Sequence, residues 1–181
     1  MKRKIIIVVV FIAAVFAYSY ALGLNLNSYY EVTDSSPIKV CFSPEGNCTD
    51  LIVKEIGKAK SEIHVQAYSF TSAPIAKALI NAHKQGITID AVLDKSQRSE
   101  RYTSATFLKN AGIPVYIDSA HSIAHNKIMI IDRETVITGS FNFTKAAQER
   151  NAENLLVIRN NELAAIYLGN FEKHKGHSEN Y

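Results

Sequence analysis

The sequence has no internal repeat and no low-complexity tract, only two cysteines, and almost no excess charge once its first residues are set aside. The first two absences exclude repeat architectures and unstructured chains. Hydrophobic residues at 47% and charged residues at 20% describe a globular protein instead. The length of 181 residues suits one domain with a real core. The formal charge of +3 is carried by Lys2, Arg3 and Lys4, and no acid precedes Glu31. Without those three, Lys and Arg balance the 17 Asp and Glu. Bulk charge therefore gives no argument for a nucleic-acid partner, and only a local basic patch could supply one.

What the chain does have begins with an export segment. Lys2 to Lys4 form a basic flank, Ile5 to Phe16 is an uninterrupted apolar run, and the small residues Ser19, Ala21 and Gly23 suit a signal peptidase. Apolar character over residues 5–22 also gives ~18 residues, just enough to span a bilayer as a tether. Residues 1–24 are thus expected to be a signal peptide or a retained membrane anchor. In either case the basic flank stays inside and the domain is exported, to the periplasm or the outer face of a bacterial membrane. Residues 25–36 read as a linker, with Tyr29 and Tyr30 suited to a membrane interface. Residues 37–175 form the domain and 176–181 a polar tail.

Cys41 and Cys48 flank Phe-Ser-Pro-Glu-Gly-Asn, where Pro44, Glu45 and Gly46 can turn the chain back. In an exported protein this reads as a disulfide closing a short loop. Two free thiols or a metal pair are the alternatives, and the latter lacks further cysteines.

Patterning predicts strands at Ile38–Phe42, Glu62–Phe70, Ile87–Leu93, Pro114–Ile117, Lys127–Asp132, Thr135–Thr138 and Asn154–Ile158. Helices are predicted from an N-cap at Thr49 to Lys60, from a cap at Ser72 to Lys84, over Ser104–Asn110 and over Glu162–Lys173. Arg133-Glu134 reads as a hairpin-like join. Alternating elements followed by a strand-rich part predict an α/β fold, a mixed β-sheet flanked by helices.

The segment with chemistry in it is His125-Asn-Lys127-Ile-Met-Ile-Ile-Asp132, continuing to Gly139-Ser140-Phe141-Asn142. Side chains alternate along a strand, so His125 and Lys127 share a face, with Met129 and Ile131 behind them. An imidazole beside a fixed cation is suited to attack on a phosphate: the cation neutralises the oxyanion, and the imidazole supplies a nucleophile or moves a proton. Ser140 and Asn142 share a parity and offer donors, and Gly139 lets backbone approach closely. Asp132 has the opposite parity to His125 and is expected to be a structural hydrogen-bonding residue.

These residues resemble the HKD motif of the phospholipase D superfamily: His-x-Lys, four residues, Asp, six residues, Gly-Ser. His125, Lys127, Asp132, Gly139 and Ser140 each match, as do Asn142 and Glu153 at downstream polar positions. A single motif in a short exported chain is most similar to the small bacterial Nuc-type endonucleases. The resemblance implies a phospholipase D-like fold and a two-step displacement without metal or other cofactor. In it His125 forms a phosphohistidine, and a second histidine protonates the leaving oxygen and then activates water. Lys127 and Asn142 would hold the non-bridging oxygens, Ser140 would assist at phosphate or imidazole, and Glu153 would orient His125. One motif per chain implies a homodimer with two His125 residues at a twofold axis.

The other histidines read as background: His64 a satisfied strand residue, His83 on a helix face, His121 in a loop, His174 and His177 solvated in a polar stretch from Lys173 to Tyr181. A His121–His125 zinc pair lacks a third ligand, so no metal site is expected. Lys95, Arg98 and Arg101 with Tyr102, and Lys145 with Arg150, are candidates for a nucleic-acid backbone or simply a solvated surface. The leading expectation is an exported nuclease acting on DNA or RNA. The alternatives are a phospholipase D acting on lipid headgroups, for which no long apolar loop follows residue 24, and a non-catalytic DNA-binding or uptake component.

Overall fold

The computed structural model describes Tyr30–Val32 and residues 37–100 and 103–181. The export segment over residues 1–24, Tyr29, Arg101 and Tyr102 lie outside the described residues. Within the stretch read as a linker, Tyr30–Val32 (β1) pairs antiparallel with β2 (Ile38–Ser43). Then follow α1 (Cys48–Ile56), β3 (Glu62–Ala67), α2 (Ala73–Lys84) and β4 (Thr88–Asp94). A 3-10 turn at Lys95–Arg98 leads to α3 (Ala105–Asn110), β5 (Val115–Asp118), β6 (Lys127–Ile131) and β7 (Thr135–Gly139). The chain ends with α4 (Lys145–Glu149), β8 (Glu153–Arg159), α5 (Asn161–Gly176) and β9 (Glu179–Asn180). Among the described residues no helix is long and apolar enough to cross a membrane.

The strands form one mixed sheet in the order β1-β2-β8-β7-β6-β3-β4-β5-β9. The β3–β4 and β4–β5 pairs are parallel because α2 and α3 carry the crossovers. Every other pair is antiparallel. β6, in the middle, is buried along its whole length, which is why it reads as a continuous apolar run behind Lys127 and not as an alternation.

Period two divides β3 between two cores. Ile63 and Val65 face the larger one, with Leu51 and Ile52 of α1, Ile75 and Leu79 of α2 and Leu108 of α3. On the other face α5 lays Ala164 and Phe171 against Val92, Ile128, Ile130 and Val136. His64 lies on that face, with Nδ1 2.6 Å from Asp90, whose carboxylate also accepts from Lys175. Burial pushes the His64 imidazole down, but Asp90 and Glu62 outweigh it and hold it above its ordinary value.

Two expected helix starts differ. α1 begins one residue earlier than Thr49, and the Thr49 N–H is bonded to Gln148 Oε1 at 2.9 Å, a cap supplied from α4. Ser72 stands at the cap position of α2 with an extended backbone, but its side chain makes no cap bond. Pro74 in the first turn has no N–H to satisfy there. Cys41 and Cys48 are joined by a disulfide that ties β2 to the start of α1. The terminal residues read as a tail add β9 to the sheet edge, and the Tyr181 N–H bonds the Val115 carbonyl at 2.9 Å.

Candidate active site

The sheet collects the motif at one end. β6 and β7 are antiparallel neighbours, so the start of β6 lies beside the end of β7, and β8 starts next to Gly139. His125, Gly139 to Asn142 and Glu153 therefore converge where β3, β4 and β5 terminate. Asp132 follows the far end of β6, roughly 17 Å along a five-residue strand. There its carboxylate accepts from the N–H groups of Lys60, Ser61 and Glu62 and from the Ser61 hydroxyl, at 2.8–3.1 Å. It fastens the β6–β7 turn to the entry of β3.

His125 is exposed at the mouth of a cavity of about 520 Å³ lined also by Lys127, Thr138, Gly139, Ile166 and Tyr167. Its ring leans on Tyr68, with centroids 4.7 Å apart. The loop carrying it is held twice. Tyr68 N–H donates to the Asn126 carbonyl at 2.7 Å, and Ala124 N–H donates to Asp94 Oδ2 at 2.7 Å. Burial pushes the Asp94 carboxyl up, but hydrogen bonds from Ser96 and Ala124, with the Lys95 charge, bring it below its ordinary value.

Lys127 is only 6% exposed. Its Nζ donates to the His125 carbonyl at 3.0 Å and lies 5.0 Å from the centre of the Tyr68 ring. Burial pushes its ammonium down, and the nearby charges of Glu153 and Asp94 recover only part of that. The cation is thus poorly solvated and held at the His125 carbonyl, and Tyr68 touches both the Lys127 ammonium and the His125 ring.

Ser140 and Glu153 form a unit. Ser140 Oγ donates to Glu153 Oε2 at 2.6 Å and accepts the Asn154 N–H at 3.1 Å. Asn151 donates to Glu153 Oε1 at 3.0 Å. Glu153 is expected to orient His125, but in this chain its carboxylate is engaged by Ser140 and Asn151. Asn142 Oδ1 is buried with no hydrogen-bond partner among the described residues, so it is an acceptor kept out of solvent. Gly139 makes the packing possible: its φ is +147°, and a Cβ there would come within 2.3 Å of the Asn154 carbonyl oxygen.

Of the basic candidates, Lys95 donates to the His121 carbonyl at 3.0 Å, Arg98 pairs with Glu179, and Lys145 pairs with Glu149 on its own helix. Arg150 is exposed. Sequence reasoning missed Tyr68 and Asp94. Both act on the His125 loop across long sequence separations, and nothing local in the sequence marks them.

Two histidine readings need correction. His174 is half-buried against Asp118, and His177, exposed as expected, also reaches that carboxylate instead of lying in a free tail. With His121 they surround Asp118, which is wholly buried. The three rings are brought together because α5 ends against the last residue of β5.

Residues 52–175 match the family model described as cardiolipin synthase, PLD-like domain. A Rickettsia conorii protein named phospholipase D is 43% identical over 159 residues, covering 87% of this chain and 80% of that one. Human mitochondrial cardiolipin hydrolase is 27% identical over 134 residues, covering 74% of this chain and 53% of its own length. Among solved structures, Nuc from Salmonella typhimurium, a phospholipase D family member, superposes with a TM-score of 0.78 at 39% identity, over 81% of this chain and 99% of Nuc. NucT from Helicobacter pylori shares the fold, with a TM-score of 0.76 at 21% identity, over 81% of this chain and 100% of NucT.

Proposed function

Because this chain belongs to the phospholipase D superfamily and is a phosphodiester hydrolase, we propose that its substrate is nucleic acid and that it acts as an exported nuclease. The observation that carries this reading is the near end-to-end match to Nuc, combined with an open groove in which exposed His125 stands over buried Lys127. A polynucleotide passes a phosphate into such a groove from either side. The disulfide between Cys41 and Cys48 suits an oxidising compartment outside the cytoplasm.

In the first step an imidazole nitrogen of His125 attacks phosphorus and the bond to the leaving oxygen breaks. A second imidazole gives that oxygen its proton. In the second step the same imidazole takes a proton from water, the water oxygen attacks phosphorus, and His125 is released. Lys127 is placed to neutralise the non-bridging oxygens throughout.

The second imidazole has no source within the chain. His64 is paired with Asp90 and His83 with the Ile87 carbonyl, while His121, His174 and His177 are gathered at Asp118. The reading therefore includes a homodimer that pools two His125 residues across a twofold axis. Exposed Ile123 and Ile166, beside His125 and at the groove, offer apolar surface for the contact.

A second reading, hydrolysis of phospholipid headgroups, is favoured by the Rickettsia relative's name and by the same exposed Ile166 at the groove. The test uses the full chain in detergent micelles and excess EDTA, at a temperature where circular dichroism shows it folded. It is offered single- and double-stranded DNA, RNA and phospholipid vesicles, with His125→Ala alongside. Cleavage of a polynucleotide by wild type alone supports the nuclease. Headgroup release without polynucleotide cleavage replaces it with the phospholipase.

A further inference from the structure

A second cluster of reactive side chains lies outside the groove. At the end of β5, Asp118 is fully buried, and three imidazoles converge on its carboxylate. His174 Nδ1 is 2.6 Å from Oδ2, His121 Nδ1 is 3.1 Å from both oxygens, and His177 Nε2 is 3.3 Å from Oδ1. One ligand atom from each residue lies within 4.8 Å of the others. The rings face one another, with centroids 4.9 Å apart for His121–His174 and 5.2 Å for the two pairs involving His177.

We propose that Asp118, His121, His174 and His177 bind one first-row divalent cation, zinc being the best match, as a four-ligand structural site separate from the catalytic groove. Three imidazole nitrogens and one carboxylate oxygen form a ligand set that zinc accepts with tetrahedral geometry. The nitrogen-rich set disfavours magnesium and calcium, which take oxygen ligands. Zinc bonds of ~2.0–2.1 Å put neighbouring tetrahedral donors ~3.3–3.4 Å apart. The Asp118–imidazole distances of 2.6–3.3 Å lie at or inside that spacing, and the widest gap between ligand atoms is no more than 4.8 Å. Only small side-chain movements are needed to close it, and His121 and His177, with side chains 47% and 32% exposed, are free to make them.

The location gives the ion a task. His174 and His177 stand at the end of α5, Asp118 ends β5, and His121 lies four residues before His125. β9 is two residues long and sits at the sheet edge. A cation here would clip the end of the chain, that edge strand and the approach to the His125 loop into one body. The two ligand pairs, Asp118-x-x-His121 and His174-x-x-His177, each come from a single turn of chain. A 56-residue separation joins His174 to Asp118.

The test is binding without substrate, so its failure leaves the nuclease reading standing and the reverse also holds. The full chain in detergent micelles is stripped with chelator, dialysed and titrated with Co²⁺ and then Zn²⁺. The expected result is one equivalent per chain, the intense visible bands of four-coordinate Co²⁺, displacement by Zn²⁺, and a thermal midpoint raised by several degrees. His121→Ala and His177→Ala, which remove partly exposed side chains, should each weaken binding at least tenfold, while His125→Ala binds as wild type. No saturable uptake by the wild type, or undiminished uptake by both ligand variants, overturns the site. Loss of uptake in His125→Ala moves the ion to the reaction centre and overturns it as well.

Discussion

The Ser140 hydroxyl donates to Glu153 at 2.6 Å while accepting the Asn154 N–H at 3.1 Å, so one serine links the end of β7 to the start of β8 and fixes the carboxylate. Ser140→Ala removes the bond but not the charge. A hydrogen bond to a charged group contributes roughly 1.5–3 kcal/mol, which corresponds to about 10- to 100-fold in rate if it is used in the transition state. The expected outcome is a fall of that size in kcat with KM nearly unchanged, measured on a chromogenic phosphodiester. A change confined to KM would place Ser140 in ground-state binding instead.

Lys127 separates activity from stability. Its ammonium is buried, and replacing it with Met keeps the stem's volume while removing the cost of desolvating a charge. Lys127→Met should lower kcat by roughly 10²- to 10³-fold, the usual loss for a group that stabilises transition-state charge. Its urea midpoint should be equal to or above that of wild type. A variant that loses both activity and stability would show that Lys127 holds the β6 entry together and is not reserved for phosphate.

Gly139 is required by space and backbone together. A methyl group would meet the Asn154 carbonyl at 2.3 Å, and φ is +147°, where side chains rarely go. Gly139→Ala is expected to cost at least the ~1–3 kcal/mol of a strained backbone. At about 2–4 °C per kcal/mol for a chain of this size, scanning calorimetry would register a clear drop in midpoint. An unchanged midpoint would mean that β7 and β8 part easily at this end.

The parts of this molecule that were legible in the sequence are those governed by short repeats of pattern. Period two over Glu62–Phe70 marks β3, which ends at Ala67, and the hairpin-like join at Arg133-Glu134 marks the antiparallel β6–β7 pair that returns the chain to its starting edge. The illegible parts depend on contacts between distant segments. Gln148 caps Thr49 across 99 residues, and Asp94 holds Ala124 across 30. His174 and His177 look like a polar tail until α5 is laid across the sheet and its end meets Asp118. Glu153 shows the limit of a motif: the position was legible, but its hydrogen bonds to Ser140 and Asn151 were not.

Acid should act on the far end of β6 through Asp132. Burial pushes its carboxyl up, but hydrogen bonds from the Glu62, Ser61 and Lys60 N–H groups and the Ser61 hydroxyl outweigh this and hold it below its ordinary value. A folded-state pKa below the unfolded value of ~3.9 means that the contribution is complete above that value and fades as pH falls through the folded one. Asp132→Asn tests the charge alone. Asp132 has a φ of 54°, a left-handed conformation that Asn tolerates well, so the backbone is not disturbed. At pH 7 the variant should lose roughly 1–3 kcal/mol, because an amide cannot accept from the N–H array as a carboxylate does. As pH falls from about 4 through the lower folded-state pKa, protonation progressively removes the same advantage from wild type, and the two urea midpoints should converge. A gap that stays constant from neutral to acid pH would mean that Asp132 holds the turn by shape, with its charge contributing nothing.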